Sequence, residues 1–374
     1  MRINKNSVFL IGIFSIYYLI YVFLIPSYEN PDETAHYKNT YNVASAFSIS
    51  GDGGSYYNVH LYFAKIIGLD YQEFDIDLKK NSNFSYFGNE YRYGHNAIFP
   101  SSNIVFHRLL NLLFIIPFFF LFLKHKENRV LFSLSLCVPG FVWFMSNLNP
   151  DVLNILVGII FFSNKEKHFF KVFVFMLLSF FFLDRTIILL IATFFIYSLY
   201  NIFPKIKKLS FFLFCIFLGS CFWLTYNIGK NIISVPNFEL EPIKSLFTVL
   251  VSFYGLLGNM SIRATLLEYG LFFIIVFLVI IKSFFLNKEH NSYYEIGYWV
   301  RFVIIYFILW FCILTLAPTL DQGRFFYPII FPILYLFNKL VVKNNVELST
   351  KVLMASIVLN GLMFVKLIYI YIQK

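Results

Sequence analysis

Three features of the sequence predict an all-α integral membrane protein with about eleven transmembrane helices, in a range of roughly ten to twelve. The first is composition. Of 374 residues, 59% are apolar, 22% aromatic and only 13% charged, where a soluble domain carries about 25% charged residues. The second is the recurrence of apolar runs near the length of about 20 residues that a bilayer demands. The third is an alternation of connections rich in Lys and Arg with connections that hold few, as expected of a chain that keeps its cations in the cytoplasm. The net charge of +10 belongs to that bias, so no nucleic-acid partner is implied.

In chain order the candidate spans are 8–26, 104–123, 130–147, 150–163, 169–183, 187–203, 210–226, 266–286, 298–316, 325–341 and 352–372. Val8 to Pro26 has the apolar body of a signal peptide, but no small-residue cleavage site follows it, so it reads as a retained first span. The cationic connections carry Arg2 and Lys5; Lys124, Lys126 and Arg129; Lys165, Lys167 and Lys171; Lys205, Lys207 and Lys208; Lys282 and Lys288; and Lys339, Lys343 and Lys351. The others hold Asn149-Pro150-Asp151, Asp184-Arg185 and Asp321-Gln322-Gly323-Arg324. This asymmetry puts the amino terminus in the cytoplasm of a multi-pass protein. Cys137, Cys215, Cys221 and Cys312 all fall in apolar runs, which points neither to a disulfide framework nor to a thiolate metal site.

Two long loops then lie on the extracytoplasmic side. Residues 27–103 are polar and rich in Tyr and Asn, with a turn at Gly51-Asp52-Gly53-Gly54 and a helix-compatible stretch from Thr34 to Ile49. Residues 227–265 contain Pro236, Pro242 and the stretch from Gly255 to Arg263. Neither is large enough for a separate globular domain, so residues 1–374 read as one polytopic membrane domain.

Ionisable residues beside a bilayer are costly unless they do something there. On this topology Asp32, Glu33, His36, Asp151, Asp184, Arg185, Arg263, Asp321 and Arg324 gather at the outer surface from separate connections. Asp32 and His36 are four residues apart and share a helix face, where a carboxylate can orient an imidazole or serve as a base. Structural duties compete. Asn30 is a candidate N-cap with Pro31 first in the helix and Glu33 completing a capping box, and Asp151 is placed to cap the fourth span. Arg324, beside Gly323 and Gln322, has the forked donors that grip a phosphate, but it is also placed to snorkel toward headgroups. Arg185 and Arg263 are further phosphate candidates, and Arg108, just inside the second span, is placed to snorkel. His60, His95 and His107 have no regular metal-ligand spacing. A divalent cation on oxygens of Asp32, Glu33 or Asp151 is the alternative use of those acids. Tyr56-Tyr57 and Tyr86 to Tyr93 suit stacking on sugar rings, although Tyr also settles at interfaces for its own reasons.

Five short segments carry a resemblance: Pro-Asp-Glu-Thr-Ala-His at 31–36, Arg-Leu-Leu-Asn at 108–111, Asn-Pro-Asp-Val-Leu-Asn at 149–154, Phe253 to Asn259 with its spaced glycines, and Gln-Gly-Arg-Phe-Phe-Tyr-Pro at 322–328. In this order the chain resembles the bacterial membrane proteins grouped as domain of unknown function 2142, in the C-type (membrane-embedded) glycosyltransferase superfamily. It departs from that pattern at Phe99-Pro100, where a double proline and tyrosine is expected. The resemblance implies residence in the bacterial cytoplasmic (inner) membrane and a polyprenyl-phosphate-linked sugar as donor. It also implies an acidic base or metal ligand in the first external loop, here Asp32, with Glu33 as second choice.

The implied reaction moves the sugar to a surface glycan or lipid-linked acceptor. Asp32 deprotonates the acceptor, His36 orients Asp32 or holds the acceptor, and Arg324, Arg185 and Arg263 hold phosphate, with Asp151 and Gln322 as further substrate contacts. Two rivals share the architecture: a polymerase of O-antigen or capsule repeat units, and a flippase of lipid-linked saccharide. Flippases need charges deep within their spans, and here the mid-span regions are almost bare.

Overall fold

The computed structural model describes residues 5–25, 33–41, 54–70, 78–79, 92–93, 101–163, 193, 253, 256–257, 262–263, 270, 292–314, 323–339 and 346–372. Among them the chain is mainly helical. Helix α1 (Lys5–Leu24) is followed by α2 (Glu33–Tyr41), α3 (Gly54–Ile66), α4 (Ser102–Phe122), α5 (Lys126–Ser135), α6 (Pro139–Met145) and α7 (Asp151–Ser163). Helix α8 (Ser292–Leu314), a 3-10 turn (Gly323–Ile329) running into α9 (Ile330–Phe337), and α10 (Val346–Ile372) complete the described helices. Two short antiparallel pairs join β1 (Leu78–Lys79) to β2 (Arg92–Tyr93) and β3 (Leu256–Leu257) to β4 (Ile262–Arg263).

Lys5–Leu24, Ser102–Phe122 and Val352–Tyr369 are each long and apolar enough to cross a membrane. Residues 127–135 and 139–145 would form a fourth span if bent, their axes differing by 89°. The bend corrects the continuous span expected over 130–147. Pro139 has no N–H to extend α5, so it opens a new helix instead. Spans 169–183, 187–203, 210–226 and 266–286 lie outside the described residues, apart from Thr193 and Gly270. Helix α3 lies in the first loop beyond the helix-compatible stretch expected from Thr34 to Ile49, and the sequence reading does not include it. Its Tyr56, Tyr57, His60, Leu61 and Ala64 are buried on one face, at the spacing of one helical stripe.

The apolar core is built from aromatic rings. Phe14 of α1, Phe119 of α4 and Phe132 of α5 meet edge to face, with centroids 4.8 Å apart for Phe14–Phe119 and 4.7 Å for Phe119–Phe132. Phe122 meets Phe331 of α9 at 4.4 Å, and Phe162 of α7 meets Trp299 of α8 at 4.9 Å. Such pairs add about 0.5–1.5 kcal/mol each beyond their area burial. Helix α10 turns Ser356 and Asn360 inward, where Asn360 Nδ2 donates to the Leu136 carbonyl at 2.8 Å. Its Met354, Val358, Leu362 and Val365 stay exposed, a lipid-facing pattern.

The bundle has two distinct ends. At one, Ser7 Oγ donates to the Leu123 carbonyl at 3.1 Å, and Lys339 meets Glu127 at 2.6 Å. Residues of α1, of the α4–α5 junction and Lys339 thus approach one another here. The other end is where α1 stops at Leu24, and there the polar residues collect.

Candidate functional site

An arginine inside an otherwise apolar helix must bring its partners with it. Arg108, on the second turn of α4, is fully buried, and so is Glu33 at the start of α2. Arg108 Nε donates to Glu33 Oε1 at 2.8 Å and Nη2 to Oε2 at 2.7 Å, a two-pronged charge-assisted pair. Its Nη1 donates to the carbonyls of Val22 at 2.9 Å and Ile25 at 2.7 Å. Those carbonyls belong to the last turn of α1, which has no further helix to satisfy them. One guanidinium therefore ties the end of α1, the start of α2 and the body of α4 together. Tyr18 adds a strut from α1, its hydroxyl donating to the Arg108 carbonyl at 2.5 Å.

The expectation that Arg108 snorkels is thereby corrected. Snorkelling serves a charge that can reach water, whereas this one is enclosed and matched by a carboxylate and two carbonyls. Glu33 is likewise committed to Arg108, and its contact with that residue gives it an anchoring duty directly next to Asp32 in sequence.

Beside the pair lies a chain of neutral polar groups. Asn111 Nδ2 donates to the Asn147 carbonyl at 2.7 Å, which turns Oδ1 toward Tyr56, whose hydroxyl donates to it at 2.9 Å, and toward His60 Nε2 at 3.1 Å. His60 Nδ1 lies 3.1 Å from His107 Nδ1, and His107 Nε2 lies 3.1 Å from the Tyr41 hydroxyl. With both rings neutral the directions are fixed. Tyr41 donates to His107, His107 Nδ1–H to His60, and His60 Nε2–H to Asn111. Burial pushes the His60 imidazole well below its ordinary range, neighbouring His107 lowers it further, and the Asn111 hydrogen bond opposes the shift. Burial also raises the Tyr41 and Tyr56 hydroxyls. The chain ends on an amide that cannot pass a proton onward, so it braces α2, α3 and α4 and does not act as a proton relay.

His36 is half-buried, with Nδ1 2.5 Å from the Tyr57 hydroxyl and the two rings stacked at 6.0 Å. Asp151, half-buried at the start of α7, donates its N–H to Asn149 Oδ1 at 2.8 Å, and its Oδ1 accepts from Asn154 Nδ2 at 3.3 Å. The Asn149 side chain thus takes up the first N–H of α7, so the Asp151 side chain is relieved of the capping duty. Asp32, Asp184, Arg185, Asp321 and Gln322 lie outside the described residues. Arg263 falls in β4 and Arg324 in the 3-10 turn, but their side chains lie outside the described residues. Among the described residues no three His, Cys, Asp or Glu side chains gather as a metal site.

The five segments singled out in the sequence are joined in series. Glu33–Arg108 links 31–36 to 108–111. Asn111 links 108–111 to Asn147, two residues before the 149–154 segment. Helix α7, which that segment opens, meets the 3-10 turn so closely that a Cβ on Gly158 would lie 1.8 Å from the Pro328 carbonyl oxygen, an approach only glycine permits. Tyr327 of 322–328 then donates to the Phe253 carbonyl at 3.0 Å.

No family model, curated protein or solved structure matches the chain. Its chemistry is therefore read from these contacts. Sequence reading picks out Arg108 and Asn111 within one segment without their partners, and passes over Asn147 and the pairing of His60 with His107. A signal was present: Asn103, His107 and Asn111 recur at four-residue spacing with Arg108 beside them, one polar stripe along an apolar helix.

Proposed function

We propose that this protein is a multi-pass membrane glycosyltransferase that moves a sugar from a polyprenyl-phosphate-linked donor to a cell-surface glycan or lipid-linked acceptor on the outer face. The observation that carries the reading is the Glu33–Arg108 pair. Breaking a buried pair costs about 3–5 kcal/mol. Such a contact fixes Glu33, the residue after Asp32 in sequence, to the body of α4 and the last turn of α1, at the other end of the bundle from Lys339 and Glu127. A buried charge pair that anchors the residue next in sequence to Asp32 suits a preorganised base.

In this reading Asp32 accepts the proton of an acceptor hydroxyl as its oxygen bonds to the anomeric carbon. The bond from that carbon to the phosphate oxygen breaks, and the polyprenyl phosphate leaves with the electron pair, its charge met by Arg324, with Arg185 and Arg263 assisting. One displacement inverts the anomeric centre. Glu33 acts by position, and His36, whose Nδ1 lies against the Tyr57 hydroxyl, orients Asp32 or holds the acceptor. Asp151 and Gln322 serve as substrate contacts, and a divalent cation on the oxygens of Asp32 would be an accessory.

The test is mass spectrometry of lipid-linked and surface glycans from cells carrying the wild type, Asp32→Asn or no copy of this protein. Loss of one sugar or short unit in both the deletion and the variant, with normal membrane insertion, is the expected result. Shortened polymer would favour the repeat-unit polymerase, and accumulated inward-facing lipid-linked saccharide the flippase. Unchanged glycans in the deletion would end the proposal.

A further inference from the structure

Asn147 is 1% exposed, and neither its Oδ1 nor its Nδ2 has a hydrogen-bond partner. Among the described residues it is the one amide with both polar atoms buried and unbonded. A buried amide left in this state is destabilising in the free protein, and turning the side chain toward its neighbours brings little relief. Asn111 spends Oδ1 on Tyr56 and His60 and Nδ2 on the Asn147 backbone carbonyl. Ser146 Oγ donates to the Trp143 carbonyl, and Asn149 Oδ1 is held by the Asp151 N–H.

We infer that the Asn147 carboxamide is the contact that reads the sugar hydroxyls of the lipid-linked donor, an inference that rests on the transfer reaction proposed above. The chemistry selects the ligand. An amide offers one acceptor and two donors side by side, and adjacent sugar hydroxyls each donate and accept, so the two match in kind. A phosphate or carboxylate only accepts and would leave Oδ1 unsatisfied. It would also need a counter-charge, and Arg108, the nearby guanidinium, is already committed to Glu33, Val22 and Ile25. The place fits as well. The residue stands two positions before Asn149 and four before Asp151, and its own carbonyl is fixed by the polar stripe of α4. Asn147 thus specifies the sugar, while the arginines of the proposed mechanism hold the phosphate.

The experiment compares full-length wild type and Asn147→Leu in lipid nanodiscs by thermal unfolding. The ligands are bare polyprenyl phosphate and polyprenyl phosphates carrying glucose, mannose, galactose or arabinose. Without ligand, the leucine variant, of similar volume and with no polar group to orphan, should unfold about 2 °C higher. The wild type should bind at least one glycosylated lipid about tenfold more tightly than the bare lipid, and the variant should bind both equally. If leucine overpacks, Asn147→Ala makes the same binding comparison without added bulk. A ligand-free variant less stable than wild type would mean that a trapped water satisfies the amide, and would overturn the inference. So would equal binding of bare and glycosylated lipids by the wild type, which leaves the phosphate half of the proposed function standing. Binding of neither lipid would remove both.

Discussion

The apolar bundle and the polar layer at the Ile25 end of α1 are held together by different forces. In the bundle, Phe14, Phe119 and Phe132 pack ring against ring, with a small polar cluster in which Asn360 meets the Leu136 carbonyl and the Tyr21 hydroxyl. In the polar layer the same helices, α1 and α4, are joined to α2 and α3 through Arg108, Glu33, His107, His60 and Asn111. Packing tolerates gradual change, because neighbouring rings relax around a lost methylene. A directional network is less forgiving, since each group fixes the donor sense of the next. The difference teaches where the molecule needs a defined geometry: at the layer that begins with Glu33, the residue after Asp32.

The largest effect should come from breaking the charge pair. Arg108→Ala leaves Glu33 buried without its partner and should cost about 3–5 kcal/mol, read as reduced folded yield and a lowered unfolding temperature in nanodiscs. The double variant Arg108→Met with Glu33→Met should lose clearly less than the sum of the two singles. Additive losses would erase the contrast between the two regions. Gly158→Ala should follow, at about 1–3 kcal/mol, because the new methyl meets the Pro328 carbonyl. A neutral outcome in the same unfolding assay would mean that α7 and the 3-10 turn are not in that close contact.

The pH dependence sharpens the comparison further. His60 is pushed down by burial in the folded chain, while in the unfolded chain it takes a proton near its ordinary value of about 6.5. The unfolded state therefore binds more protons below that pH. Stability should fall as pH drops through about 6.5 and go on falling until the folded histidine itself titrates. His60→Gln, which cannot titrate, should flatten that slope relative to wild type in unfolding curves taken from pH 7.5 to 5. The smallest effect belongs to the other end of the bundle. Lys339 and Glu127 are partly exposed, at 22% and 34% for their side chains, so Glu127→Gln should change stability by about 0–1 kcal/mol.

Much of the helical frame was legible in the sequence, because apolar runs such as 8–26 and 104–123 must become helices once they leave water. The bend at Pro139 and helix α3 are absent from the expected elements, although Pro-Gly at 139–140 and the Tyr56, His60, Ala64 stripe both signal them. At the candidate site the segments were identified, but their partners were not. Periodicity says that Arg108 lies on a face, but not that Glu33, 75 residues away, faces it there. Asn147 was invisible for a related reason: its oddity is the absence of a bond, which only three-dimensional neighbours reveal. Glu33 and Asp32 look interchangeable as letters, and the contact with Arg108 is what separates them.

That separation is open to one direct measurement. Transfer activity and unfolding temperature should be read together in nanodiscs for Asp32→Asn and Glu33→Gln, with the sugar product followed by mass spectrometry. An inactive Asp32→Asn that unfolds like wild type, beside a Glu33→Gln that unfolds several degrees lower and keeps activity in its folded fraction, is the predicted result. Full turnover by Asp32→Asn, or a Glu33→Gln protein as stable as wild type but without activity, would contradict the proposed division of labour between base and anchor.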